Sequence, residues 1–385
     1  MRAHKGVSVV VAFSPDGRLL AGAGHDATVR LWDLKGHGKP RVLRGHTGAI
    51  KNVAFSPDGG LLASVSVDGT ARVWQTGGNT PPVVLYGHEG AVEGLAFSRD
   101  GHRLATTSDD STIRIWSPGG TGDPLVLRGH ERVVWGAAFS ADGTRLVSAG
   151  DDGTVRVWDP AGMGLVSVLR GHEKEVWTAA FDSSGRRVFS GGVDGAVRSW
   201  DWSAGTNRVL DRHDGEVVGL AVSRDGRRLA SAATDGTIRV ADTGGDTKPV
   251  VLRGHERVVW SAEFSPDGRW LASAGRDSTL RVWDLTGAAA TLVRQADAEQ
   301  IRDVTVSPDG LRLATGGQDG TVRICPVSGR GEPLVLRGHQ NMVWSVAFSP
   351  DGRWVAGTGH DGTARIWRTD VAAPPMTVRR VRRHR

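Results

Sequence analysis

The sequence predicts an all-β chain made of nine repeats, each holding four short strands. Three observations carry this reading. The 385 residues include 54 glycines but only 16 prolines, which calls for many tight turns without the proline content of a linker. A Gly-His dipeptide recurs at His46, His88, His130 and His172 at a constant spacing of 42, and again at His255 and His339. Between recurrences the apolar runs, such as RLLAGAG, ATVRLWD and PLVLRGH, are four to seven residues long and rich in Val, Leu and Ile, too short for helices and suited to strands.

A fixed period of this length is the mark of a repeat architecture. His4 opens the series, His213 continues it without the glycine, and Asp297 fills the slot 42 after His255. The string LRGHERVVW, found at 127–135 and 252–260, therefore occupies equivalent places in repeats four and seven. The first strand follows the histidine slot and ends in FSPDG at 13–17, 55–59, 264–268 and 348–352, or in a variant of it. There proline presets φ and glycine accepts a positive φ, the needs of a reversal between strands. The third strand follows Asp-Gly-Thr and closes on Trp32, Trp74, Trp116, Trp158, Trp200, Trp283 or Trp367, with Ala241 and Cys325 in repeats six and eight. The fourth strand leads into the next histidine. Pro375 to Val378 fall 42 after Pro333 to Leu336, so every repeat is expected to complete its own four strands.

Gly-His, Ser-Pro-Asp-Gly, Asp-Gly-Thr and Trp-Asp in this order closely resemble the WD-repeat β-propeller family over essentially the whole chain. The resemblance implies one four-stranded blade per repeat, stacked radially. Closing the array removes exposed blade faces. The expectation is thus a ring of nine blades over residues 1–378, followed by a basic tail at 379–385. A seven- or eight-bladed ring with extra repeats, or a fragment of a longer array, is the alternative.

Five repeats also share a set of four polar slots: His46, Ser64, Asp68 and Trp74; His88, Thr106, Asp110 and Trp116; His130, Ser148, Asp152 and Trp158; His172, Ser190, Asp194 and Trp200; His255, Ser273, Asp277 and Trp283. Convergent Ser, His and Asp also describe a hydrolytic triad. A triad is needed once, however, beside one pocket, and this set occurs five times. The family resemblance implies a buried hydrogen-bonded relay within each blade, which satisfies its own polar groups and fixes strand register. An arginine four places after each turn Asp, from Arg30 to Arg365, occurs in all nine repeats and reads as a structural side chain at a blade edge. His25 and His360 lack partners at ligand spacing, so no metal and no cofactor are expected.

Function is sought where the repeats differ. In the resembling family, partner contacts cluster on one face, at the third and fifth residues after the histidine and at the residue before the turn Asp. Carried onto this chain, the fifth slot reads Val9, Lys51, Glu93, Trp135, Trp177, Val218, Trp260, Arg302 and Trp344. The third slot adds Val133, Val258 and Met342, with Gln300 in repeat eight, and the slot before the Asp adds a polar rim including His25, Arg276 and His360. Aromatic and Met side chains gathered on one face suit a protein or peptide partner; packing between blades is the competing role for the tryptophans.

Cys325 is the single cysteine, which excludes an intramolecular disulfide and points to a reducing, cytoplasmic setting. No apolar run has the length of a membrane span. Five of the six net positive charges lie in RRVRRHR at the end of the sequence, so the pI near 10 belongs to that tail. With no aromatic residue interleaved there, nucleic-acid binding is not the expected role. The expectation is a non-enzymatic interaction platform. The alternatives are the sensor half of a bacterial signalling NTPase or kinase, then a hydrolase or a nucleic-acid binder.

Overall fold

The turn residues set the local geometry. In the first repeat Gly17, at φ +66°, donates its N–H to the Ser14 carbonyl at 2.8 Å, and Ser14 N–H reaches Leu19 O at 2.9 Å. This reversal locks the first strand, Val10–Phe13, to the second, Leu19–Ala23. The same turn recurs at Gly59, Gly268 and Gly352, each with positive φ. At the next reversal, into the third strand, Asp68 accepts from both N and Oγ1 of Thr70, at 2.9 and 2.7 Å.

The computed structural model describes residues 10–36, 39–78, 80–162, 164–244, 247–286, 290–295, 300–370 and 376–378. His4, Val9, Asp297, Pro375 and the tail at 379–385 lie outside the described residues. The chain is an all-β propeller of nine blades, each an antiparallel sheet of four strands in chain order, with no helix among the described residues. Among the described residues no blade borrows a strand, and Met376–Val378 pairs with Ala364–Arg368 of its own repeat.

Contacts divide the chain into two units. His46–Arg253 carries blades two to six; His4–Gly45 together with Gly254–Arg385 carries blades one, seven, eight and nine. Within the second unit the first blade packs on the ninth, where Leu20, Trp32 and Leu34 share a buried cluster with Ala356, Ala364 and Ile366. The same mode joins Val65 and Val73 of blade two to Val92 and Leu104 of blade three, and Val322 and Ile324 of blade eight to Val346 and Val355 of blade nine. Burial on both faces explains why a second strand such as Leu61–Ser66 is a continuous small and apolar run without alternation. A single repeat leaves both faces wet, so neighbours supply its stability. Within each unit the first strands of consecutive blades lie side by side.

Candidate protein-interaction site

In blade four the side chain of Trp158 donates its indole N–H to Ser148 Oγ at 2.8 Å, and Ser148 meets His130 Nε2 at 2.8 Å. His130 Nδ1 lies 2.9 Å from Asp152. A carboxylate only accepts, so Nδ1 carries the imidazole proton and Ser148 donates to Nε2. The same geometry holds for His46, Ser64, Asp68 and Trp74, with contacts of 2.9 Å. It recurs for His88, Thr106, Asp110 and Trp116, for His172, Ser190, Asp194 and Trp200 and for His255, Ser273, Asp277 and Trp283. Each hydroxyl is sealed, Ser64, Ser190 and Ser273 being 0% exposed. Each is also engaged on both sides, which leaves no room for a substrate carbonyl.

The incomplete blades show how the relay bends. In blade six His213 still bonds Ser231 and Asp235, but Ala241 ends the chain of bonds. In blade nine Gly357 replaces the serine, so His339 Nε2 meets the Gly357 carbonyl at 3.2 Å and Trp367 turns to Arg337 O at 3.3 Å. In blades one and eight the turn Asp binds the repeated arginine, Arg30 with Asp26 and Arg323 with Asp319, both at 2.8 Å.

Electrostatics follow from this wiring. Burial favours the neutral imidazole and pushes His46, His88, His130 and His255 below their ordinary 6.5, against the pull of the paired carboxylates. Burial works to raise Asp68, yet hydrogen bonds from Thr70, the Thr47 N–H and His46 outweigh it and hold the carboxyl at about 2. Asp110 and Asp194 are likewise held at about 2.

The repeated arginines range from buried to half-buried, Arg72, Arg114, Arg198, Arg239 and Arg281 being half-buried. Arg30, Arg156, Arg323 and Arg365 are buried. In blade four the Arg156 guanidinium lies over the glycine of the Gly-His dipeptide. A Cβ on Gly129, whose φ is +154°, would fall inside contact distance of Arg156. The positive φ is what favours glycine here, since the guanidinium is the flexible end of its side chain.

The variable slots share one structural device. In each described first strand that reaches its fifth slot, register shifts at that residue, which marks a β-bulge at Lys51, Glu93, Trp135, Trp177, Val218, Trp260, Arg302 and Trp344. A bulge re-aims a side chain without dissolving the strand. The loops around it are tied together. The N–H of the residue before the turn Asp donates to the third-slot carbonyl, as in Asp151 to Val133 O at 2.9 Å, Arg276 to Val258 O at 2.8 Å and His360 to Met342 O at 2.8 Å. Third and fifth slots and the turn thus share one end of each blade.

Trp135, Trp177, Trp260 and Trp344 are half-buried there, as are Val133, Val258 and Met342, while Arg276 is exposed. The indole nitrogens of Trp135 and Trp260 point inward. Fifth-slot side chains of consecutive blades touch: Lys51 pairs with Glu93 at 2.9 Å. In the other unit the Arg302 guanidinium carbon lies 3.8 Å from the Trp260 ring centroid and 4.6 Å from that of Trp344. Gln300 Nε2 reaches Met342 Sδ at 3.7 Å, and His360 meets Trp344 edge-on with centroids 6.0 Å apart. The eighth blade is thus stacked into its neighbours at this end. Spacing by 42 already placed residues 260, 302 and 344 in equivalent slots, but not the bulges that aim them at one another.

Nine four-stranded blades with a repeated His-Ser-Asp-Trp relay define a WD-repeat β-propeller. The family model described as IFT122 first beta-propeller matches residues 125–368, and that described as WD domain, G-beta repeat, matches residues 1–33, 38–75 and 79–117. The chain belongs to this family of propellers. Comparison with curated proteins finds no match. Propellers of this family generally mediate protein–protein interactions and are typically not enzymes. Among the described residues no group of three or more His, Cys, Asp or Glu is placed to hold a metal ion, and no helix is long and apolar enough to cross a membrane.

Proposed function

We propose that this chain is a non-enzymatic, cytoplasmic interaction platform that holds protein or peptide partners against its blade ends, those carrying Trp135 and Trp177 in one unit and Trp260 and Trp344 in the other. One observation carries the reading: the slot at which the strand register shifts holds a half-buried indole in four blades. Large rings partly open to solvent supply contact area at low entropic cost, the property of binding hot spots. The alternative chemistry loses its footing because the recurring Ser-His-Asp sets are sealed inside their blades.

The test is affinity capture from a lysate with the parent chain and with a variant carrying Trp135→Ala, Trp177→Ala, Trp260→Ala and Trp344→Ala, after far-UV circular dichroism shows the variant folded. Partners recovered by the parent should be lost from the variant. Equal recovery of the same partners overturns the assignment of these ends.

A further inference from the structure

Resting on that reading, we infer that Glu263 and Asp303 form a proton-operated latch that sets the alignment of Trp260, Arg302 and Trp344 and makes this blade end responsive to pH. The three side chains sit on three first strands, Val259–Phe264, Ile301–Val306 and Val343–Phe348. Each strand lies in its own sheet, so side chains have to fix how far one slides past the next. Asp303, the residue after Arg302, does so on both sides. It accepts from Ser345 Oγ at 2.9 Å and Val346 N–H at 3.0 Å, just after Trp344, and from the Ser261 hydroxyl, just after Trp260. Two residues further along, Glu263 Oε2 accepts from Val306 N–H at 3.3 Å, and the same carboxyl takes the Thr305 hydroxyl. In the other unit the slot of Glu263 holds Ala54, Ala96, Ala138, Ala180 and Ala221, from which no such latch can form.

The two carboxyls also oppose each other. Burial raises Glu263 to about 7, against the hydrogen bonds from Thr305 and Val306 and with the help of the charge on Asp303. The other charged groups on the elements packed against the pair are Arg302 between the indoles, Arg281 over the Trp283 ring, Asp284 holding the Thr286 turn and Arg312 bonded to Gly352 O. The second strand of blade seven, Trp270–Gly275, and the first strand of blade nine carry no titratable side chain. Loss of the Glu263 proton therefore sets two negative charges on adjoining strands in a half-buried setting, and the strands relieve it by shifting. Arg302 moves with Asp303, its neighbour in the chain. On the acid side the latch is closed and the stack aligned; on the alkaline side it opens.

The experiment is fluorine NMR of the full chain labelled with fluorotryptophan, the resonances assigned by single substitutions to Phe. His360 lies edge-on to Trp344, so every sample carries His360→Gln. The Trp260 and Trp344 resonances should move through one transition centred on about pH 7, while those of Trp135 and Trp177, whose strands have alanine in the Glu263 slot, stay fixed. In Glu263→Gln the transition should vanish and leave both resonances at their acid-side positions. Asp303→Asn removes the like charge and should move the midpoint down toward the ordinary 4.5, a shift that a purely structural role would not produce. The inference is overturned if Trp260 is insensitive to pH in the otherwise unaltered chain, if the transition persists in Glu263→Gln, or if Trp135 and Trp177 follow it. Should Glu263→Gln fail to fold, an unmoved midpoint in Asp303→Asn overturns it instead. A flat Trp260 response beside loss of captured partners in the four-tryptophan variant removes this inference and leaves the broader reading standing.

Discussion

Ser148 accepts from Trp158 Nε1 and donates to His130 Nε2, each at 2.8 Å, at a position 1% exposed. Both partners depend on that one oxygen, and neither has water to fall back on. Ser148→Ala is expected to cost roughly 2–4 kcal/mol, because two buried polar groups lose their partner together. Chemical denaturation of the variant checks this; a loss below about 0.5 kcal/mol would mean that the backbone takes over, as the Gly357 carbonyl does for His339 in blade nine. At this scale much was legible. A period of 42 placed His130, Ser148, Asp152 and Trp158 in corresponding slots, and a polar set repeated at fixed offsets has to be self-satisfying. Arg156 was not legible in the same way: its uniform presence spoke for structure, but nothing in a linear pattern shows a guanidinium folded back over the Gly129 backbone.

Along one strand the decisive feature is the bulge. Alternation in VVWGAAF or ERVVWSAEF does not say which residue will be left unpaired, since one extra residue is invisible until the partner strand fixes the register. This is why the sequence placed Trp135, Trp260 and Arg302 in one slot without saying how they are aimed. Below the bulges the first strands are joined across blades by carboxylates. Glu263 Oε2 accepts from Val306 N–H at 3.3 Å, and Asp303 accepts from Val346 N–H at 3.0 Å and Ser345 Oγ at 2.9 Å. Burial pushes Glu263 up to about 7, against hydrogen bonds from Thr305 and Val306, and it raises Asp303 as well. A carboxyl raised on folding stabilises fully below its ordinary value of 4.5, and that contribution is lost as pH rises to about 7. Glu263→Gln keeps an acceptor for Val306 and removes the ionisation. At pH above 7 the variant is expected to be more stable than the parent by roughly 1–3 kcal/mol, with the difference shrinking toward pH 5. A thermal midpoint for the variant that is lower at alkaline pH would contradict this wiring.

Taken over the whole chain, the relays make acid stability a repeated property. Burial lowers His46, His88, His130, His213 and His255 below 6.5, so at mildly acidic pH the unfolded chain binds protons at these sites that the folded chain refuses. Stability from them is complete above 6.5 and falls as pH drops below that value toward their folded-state values. Asp68, Asp110 and Asp194 act later and with the same sign, giving up their contribution between the ordinary 3.8 and about 2. Glu263 and Asp303 work in the opposite sense, but they are two against five through the range below 6.5. The thermal midpoint followed by far-UV circular dichroism is therefore expected to fall steadily from pH 7 to pH 5, with net proton uptake on unfolding throughout. Each unmatched histidine contributes up to about 1.4 kcal/mol per pH unit, so the summed slope reaches several kcal/mol. Replacing the histidine of a single relay, as in His130→Gln, should reduce the slope by about one proton and leave the others in place, since each blade touches only its neighbours. A midpoint independent of pH over this range would mean that these imidazoles titrate alike in the folded and unfolded chain, and the buried relay would lose its energetic role.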